Sequence, residues 1–148
     1  MAEMQRPKKT VLFRVRYGET DQMGTYSNSA VLDWFEHGRT ELLRSLGLPY
    51  SQMEARGIYL PVVEAHVRFR GRARYDDLLK MTTTGTMFGK ARVRCDVSIV
   101  QEDTGVLVAD GFTIHAVTDS VAKPMRPPEW LHALFDQTPS HPTQDLRN

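Results

Sequence analysis

Asp21 stands in the polar segment 17–24, between an alternating apolar run and a long stretch of helical spacing. A carboxylate at such a junction can attack a carbonyl or activate water. Backbone amides at the helix start, from Gly24 to Asn28, would present unpaired donors and a positive dipole end. Such an end polarises a carbonyl and stabilises an oxyanion. Acyl transfer needs both parts, and here they are close in sequence. The plainer use of Asp21, Thr20, Ser27 or Ser29 is to cap the helix, and spacing alone favours it.

Other chemistries find less support. There is no Gly-x-Ser-x-Gly elbow and no glycine loop of the Walker or dinucleotide type. The histidines (37, 66, 115, 132 and 141) are scattered without a His-x-x-x-His pair, so no metal site is expected. The single cysteine, Cys95, excludes an internal disulfide and reads as a packed strand residue. A net charge of +1 argues against general nucleic-acid binding. No apolar run approaches the roughly 20 residues that cross a bilayer, and the first residues lack a secretory signal, so a cytoplasmic protein is expected.

The elements that must position Asp21 follow from periodicity. The 148 residues suit one domain. Residues 1–9 read as a flexible leader, 10–135 as the domain and 136–148 as a flexible tail. Val11, Phe13, Val15 and Tyr17 alternate as in a strand. From Ser29 to Leu46, apolar residues at three- and four-residue steps predict a helix. Its front is apolar over more than one stripe (Ala30, Val31, Leu32, Trp34, Phe35), as in a helix covered on several sides. Gly38 costs about 1 kcal/mol of helix propensity, which close approach to a sheet would offset. Gly47-Leu48-Pro49 ends the helix. A helical turn over 51–56 and strands over 59–71, 78–88, 90–101 and 106–117 complete the domain, with a last amphipathic turn at 129–135. In the third of these strands Val93, Cys95, Val97 and Ile99 oppose Arg92, Arg94, Asp96 and Ser98, so the sheet has one apolar and one polar face. Arg68, Arg70, Arg72 and Arg74, at every second position, would share one strand face, either solvated or binding phosphate or a partner.

Four segments in order resemble a known family: VRYGETDQMG (15–24), WFEHGRTELL (34–43), LPVVEAHVRF (60–69) and ARYDD (73–77). Together they resemble the 4-hydroxybenzoyl-CoA thioesterase-like branch of the hotdog superfamily, over residues 10–130. The resemblance implies an α+β hotdog fold, an antiparallel five-stranded sheet wrapped around one long central helix. It implies hydrolysis of an acyl-CoA thioester with Asp21 as the catalytic carboxylate and amides around Asn28 as the oxyanion site. Sheets would pair edge to edge in a homodimer, or a homotetramer built from two dimers, with active sites at the dimer interface. No cofactor is implied, since coenzyme A is part of the substrate. Lys90, then Arg72, Arg74 and Arg92, would meet its phosphates. Gly24, Thr25, Tyr26, Trp34, Phe35 and Tyr59 would line the substrate site.

One departure stands out. The histidine that many relatives carry seven residues after the aspartate is Asn28 here. An amide orients water or substrate but does not shuttle protons at neutral pH. Asp21 would then act with backbone amides and Asn28. Glu64 is the next candidate carboxylate, its alternative role being an ion pair with a nearby arginine. Competing functions are a non-catalytic acyl-CoA-binding protein and a hotdog hydratase or dehydratase, the latter lacking its paired histidine and carboxylate.

Overall fold

The computed structural model describes residues 6–136; the remainder of the leader and of the tail, 1–5 and 137–148, lies outside the described residues. Five strands form one antiparallel sheet: β1 (Lys8–Arg14), β2 (Val62–Phe69), β3 (Leu78–Phe88), β4 (Arg92–Gln101) and β5 (Leu107–Ala116). Their spatial order is β1-β3-β4-β5-β2. Three helices accompany them: α1 (Asn28–Ser45), α2 (Tyr50–Ala55) and α3 (Glu129–Phe135). Among the described residues no helix is long and apolar enough to cross a membrane.

Alternation decides which face is inward. Leu79, Met81 and Thr83 of β3, and Val93, Cys95, Val97 and Ile99 of β4, are buried under the helices. Burial pushes the Cys95 thiol up to about 12, so it is a packed hydrophobe without thiolate character. The front of α1 sits on one apolar cluster that includes Phe35, Met81 and Ile99. Its rear joins α2 and α3 over a second, with Met53, Val93 and Phe135. Each fully buried side chain of this size contributes about 1.5–3 kcal/mol. Gly38 is where the helix meets β3: a Cβ there would overlap the Thr83 hydroxyl.

Several expectations need correction. β1 starts at Lys8, inside the stretch read as leader, and stops at Arg14; Tyr17–Glu19 is a 3-10 turn. Leu32 is exposed, although its neighbours Val31 and Trp34 are buried. The four alternate arginines do not share a strand. Arg68 and Arg70 pair with Asp110, whereas Arg72 and Arg74 lie beyond the end of β2. β2 itself is mostly wet, with Val63 at 52% and Phe69 at 50% exposure, and only Val67 of its apolar face packs against the first cluster. It is an edge strand, bonded to β5 alone.

Candidate active site

Where β1 ends, Val15 donates its amide to Asp77 O (3.0 Å), and the chain turns through Tyr17–Glu19. The Glu19 carboxylate holds that turn by accepting the Arg16 amide at 2.8 Å. Asp21 then opens a tight loop. Its amide donates to Thr25 O and its carbonyl accepts from Gly24, both at 2.9 Å. Gly24 sits at φ +82°, a left-handed conformation that a side chain would strain. One Asp21 carboxylate oxygen, Oδ1, accepts the Met23 amide at 2.9 Å, and the side chain is exposed.

The far arm of this loop is fixed to the stretch after β2. Tyr26 donates its amide to Ala73 O at 3.0 Å. The Thr25 hydroxyl lies 3.2 Å from Ala73 O and 3.3 Å from the Ala73 amide. The Tyr26 hydroxyl meets Gly71 O at 2.9 Å and Val108 O at 3.0 Å. Trp34, 3% exposed, packs on Tyr26 and on Phe13. Thr25 and Tyr26 thus spend their polar atoms on the scaffold, and the rings of Tyr26 and Trp34 lie in the core of the protomer. These contacts fix the far arm of the Asp21 loop and the start of α1 to the scaffold.

That start has no side-chain cap. Ser27 occupies the N-cap position without a capping hydrogen bond, Thr20 donates to Tyr17 O, and Asp21 holds its own turn. Capping therefore does not explain Asp21. The Ala30 amide reaches back to Ser27 O at 3.1 Å. Among the described residues neither the Asn28 nor the Ser29 amide meets an acceptor. An exposed carboxylate and two free helix-start amides therefore flank one short loop, the parts that acyl transfer requires.

The remaining candidates lie elsewhere. Glu64 is on β2, five residues before Phe69, which stacks on Tyr26; at about 3.3 Å per residue that is roughly 16 Å along the strand. Glu64 makes no ion pair among the described residues. Lys90 tops the β3–β4 turn, and Arg92 opens β4 opposite Ala116. Tyr59 bridges Thr118 at the same end of the sheet. Of the phosphate candidates Arg72 and Arg74 lie nearest Asp21, on either side of Ala73. One protomer therefore brings Asp21, Gly24, Thr25, Asn28, Arg72 and Arg74 together and leaves Tyr59, Glu64, Lys90 and Arg92 toward the other end. The anchoring role of Ala73 escaped the sequence reading, because a backbone group leaves no signature in residue type.

Residues 15–135 match the family described as the thioesterase-like superfamily. The chain belongs to that superfamily. Membership places it among the thioesterases, consistent with the parts assembled at Asp21. The hypothetical protein TT1821 from Thermus thermophilus is similar in structure, 34% identical, with a TM-score of 0.78 over 86% of this chain and 94% of that one. The DHNA-CoA thioesterase from Staphylococcus aureus is 27% identical, with a TM-score of 0.77 over 95% and 93%. Bacillus subtilis YneP, which bears the name of an acyl-CoA thioesterase, is 43% identical over 63 residues, 43% of this chain and 46% of that protein. This last match spans less than half the length of that curated relative.

Proposed function

We propose that the chain hydrolyses an acyl-CoA thioester to the free acid and CoA, at a site completed by a second copy of itself. The observation that carries this reading is the exposed Asp21 carboxylate beside the uncapped start of α1. The thioester carbonyl oxygen would accept from the Asn28 and Ser29 amides, whose dipole end favours the developing negative charge. Asp21 would remove a proton from attacking water, or attack the carbonyl to give an anhydride that water then opens. The Asn28 side chain would orient water or substrate without carrying a proton.

The second copy follows from the separation of the candidates. β2 is an edge strand with an unpaired row of backbone groups and exposed Val63 and Phe69. Antiparallel pairing with its own copy about a two-fold axis sets the start of one β2 against the end of the other. Tyr59, Glu64, Lys90 and Arg92 of one subunit would then approach Asp21 and Arg72 of its partner. The hotdog arrangement, a sheet curved around the one long helix, suits this assembly because it leaves that edge open while α1 fixes the catalytic loop.

Thiol release from aromatic, short and long acyl-CoAs tests the reading, with Asp21→Asn compared to the parent. A drop of about 10²–10⁴-fold in kcat with the melting temperature retained is expected. Full activity in Asp21→Asn would end the proposal, and binding without release by the parent would make this an acyl-CoA-binding protein.

A further inference from the structure

Two adjoining cavities lie at the Tyr59 end of the sheet. The outer one, about 320 Å³, is open and is walled by Tyr50, Tyr59, Leu60 and Pro61, with Glu54 and Asp119 among its polar lining. The inner one, about 10 Å³, is lined by Arg39, Leu42, Cys95, His115 and Phe135. Tyr50 and Leu60 line both, so the two cavities adjoin at these side chains. The inner cavity holds one water at most, and a larger group enters only when Tyr50 turns aside.

Arg39 is the unusual member. Its Nε is buried and has no hydrogen-bond partner. Among the described residues it makes no ion pair, and the other described arginines without one are exposed. Glu36, one turn earlier on α1, is exposed, and the Tyr50 hydroxyl faces the Arg39 guanidinium. Two of the neighbouring polar groups, His115 and Asp119, are already committed. His115 Nδ1 lies 3.0 Å from Leu60 O and Nε2 lies 2.9 Å from the Thr113 hydroxyl. Asp119, at the mouth, accepts the Val121 and Lys123 amides. A half-buried guanidinium with an unpartnered Nε, opposed by the Tyr50 hydroxyl, favours a ligand carboxylate, which it can bind through two parallel hydrogen bonds once Tyr50 is displaced.

We infer that this double cavity receives the acyl group of a thioester bound at the partner subunit's Asp21, and that Arg39 selects acyl groups ending in a carboxylate. The inference rests on the two-subunit site proposed above. The hydrocarbon body packs between Tyr50, Tyr59, Leu60 and Pro61, Tyr50 swings off Arg39, and the distal carboxylate takes its place. Arg39 is thereby a specificity residue, remote from the reacting carbonyl.

The test compares adipoyl-CoA and hexanoyl-CoA, matched in chain length and differing in the distal carboxylate. The parent is expected to have the higher kcat/KM for adipoyl-CoA. Arg39→Met is expected to lower the adipoyl-to-hexanoyl ratio by about tenfold or more, the scale of a charge-assisted pair. Arg39→Lys keeps the cation without the fork and should lower the ratio by less, which gives a second reading if Arg39→Met does not fold. A parent preference for hexanoyl-CoA, or equal loss on both substrates in the variants, overturns the assignment. If the parent cleaves neither thioester but does cleave others of the acyl-CoA panel, the assignment is overturned; if it cleaves none of the panel, the hydrolytic reading fails by itself. Calorimetric binding of the same two CoA esters to the parent and Arg39→Met then decides the role of Arg39 separately.

Discussion

Lys90 and Asp21 stand at opposite ends of the same sheet. β3 runs from Leu78, paired with Arg14 of the strand that leads into the Asp21 loop, to Phe88 two residues before Lys90; its ten steps at about 3.3 Å make it roughly 33 Å long. A site that uses both must draw them from different subunits. Mixed dimers of Asp21→Asn and Lys90→Glu are therefore expected to be more active at low substrate than the sum of the two parent variants. One of the two sites in such a dimer has both residues intact. Activity equal to the average of the parents would show that each site lies within one chain.

The edge strand gives a second prediction. Val63 on β2 is 52% exposed and makes no part of the protomer core. Val63→Asp should leave far-UV circular dichroism unchanged, with any loss of stability confined to the contribution of subunit pairing. It should nevertheless convert the protein to monomers in sedimentation and abolish thiol release. An active dimer carrying this substitution would exclude β2 as the pairing edge.

How legible these features are differs by element. The bounds of α1, β3 and β4 follow from sequence, because each has one buried and one wet face and periodicity reports that difference. β1 reads too long, since Val15 and Tyr17 alternate like strand residues although the chain has entered a 3-10 turn. β2 misleads further. Val63, Ala65, Val67 and Phe69 look like a core face, yet at the sheet edge only Val67 packs against the core and the others stay exposed. Asp21 is legible because turn residues and the helix start are local. The separation of Asp21 from Glu64 and Lys90 is not, because it depends on which strands become neighbours. Arg39 is hidden too, since nothing in its local sequence shows that its carboxylate partner is missing.

Gly38 offers a test of packing. Replacing it with alanine gains about 1 kcal/mol of helix propensity, but the added methyl meets the Thr83 hydroxyl and lies 3.2 Å from Met81 Sδ. Overpacking a tight core costs about 1–3 kcal/mol, so Gly38→Ala should be less stable than the parent in urea denaturation. Adding Thr83→Ala should recover part of the loss. A gain in stability from Gly38→Ala alone would show that helix and sheet separate easily here.

His115 should make stability depend on pH. Burial moves its pKa from an ordinary 6.5 to about 4, and its two ring nitrogens are engaged by Leu60 O and the Thr113 hydroxyl. The ring is 1% exposed, so solvent screens this effect little. Between these two values the unfolded chain binds a proton that the folded chain refuses. Stability is therefore fully present above pH 6.5 and falls as the pH drops toward 4, by about 1.4 kcal/mol per unit and about 3 kcal/mol in all. Carboxylates add their own acid dependence, so the informative quantity is the difference between the parent and His115→Gln in urea denaturation at pH 7.5, 6, 5 and 4.5. Glutamine keeps a donor and an acceptor without a titrating ring. The stability difference should favour the parent most at pH 7.5 and shrink steadily below pH 6.5. A difference constant across this range would mean that His115 titrates alike in the folded and unfolded chain, and that its burial opens more readily than its contacts indicate.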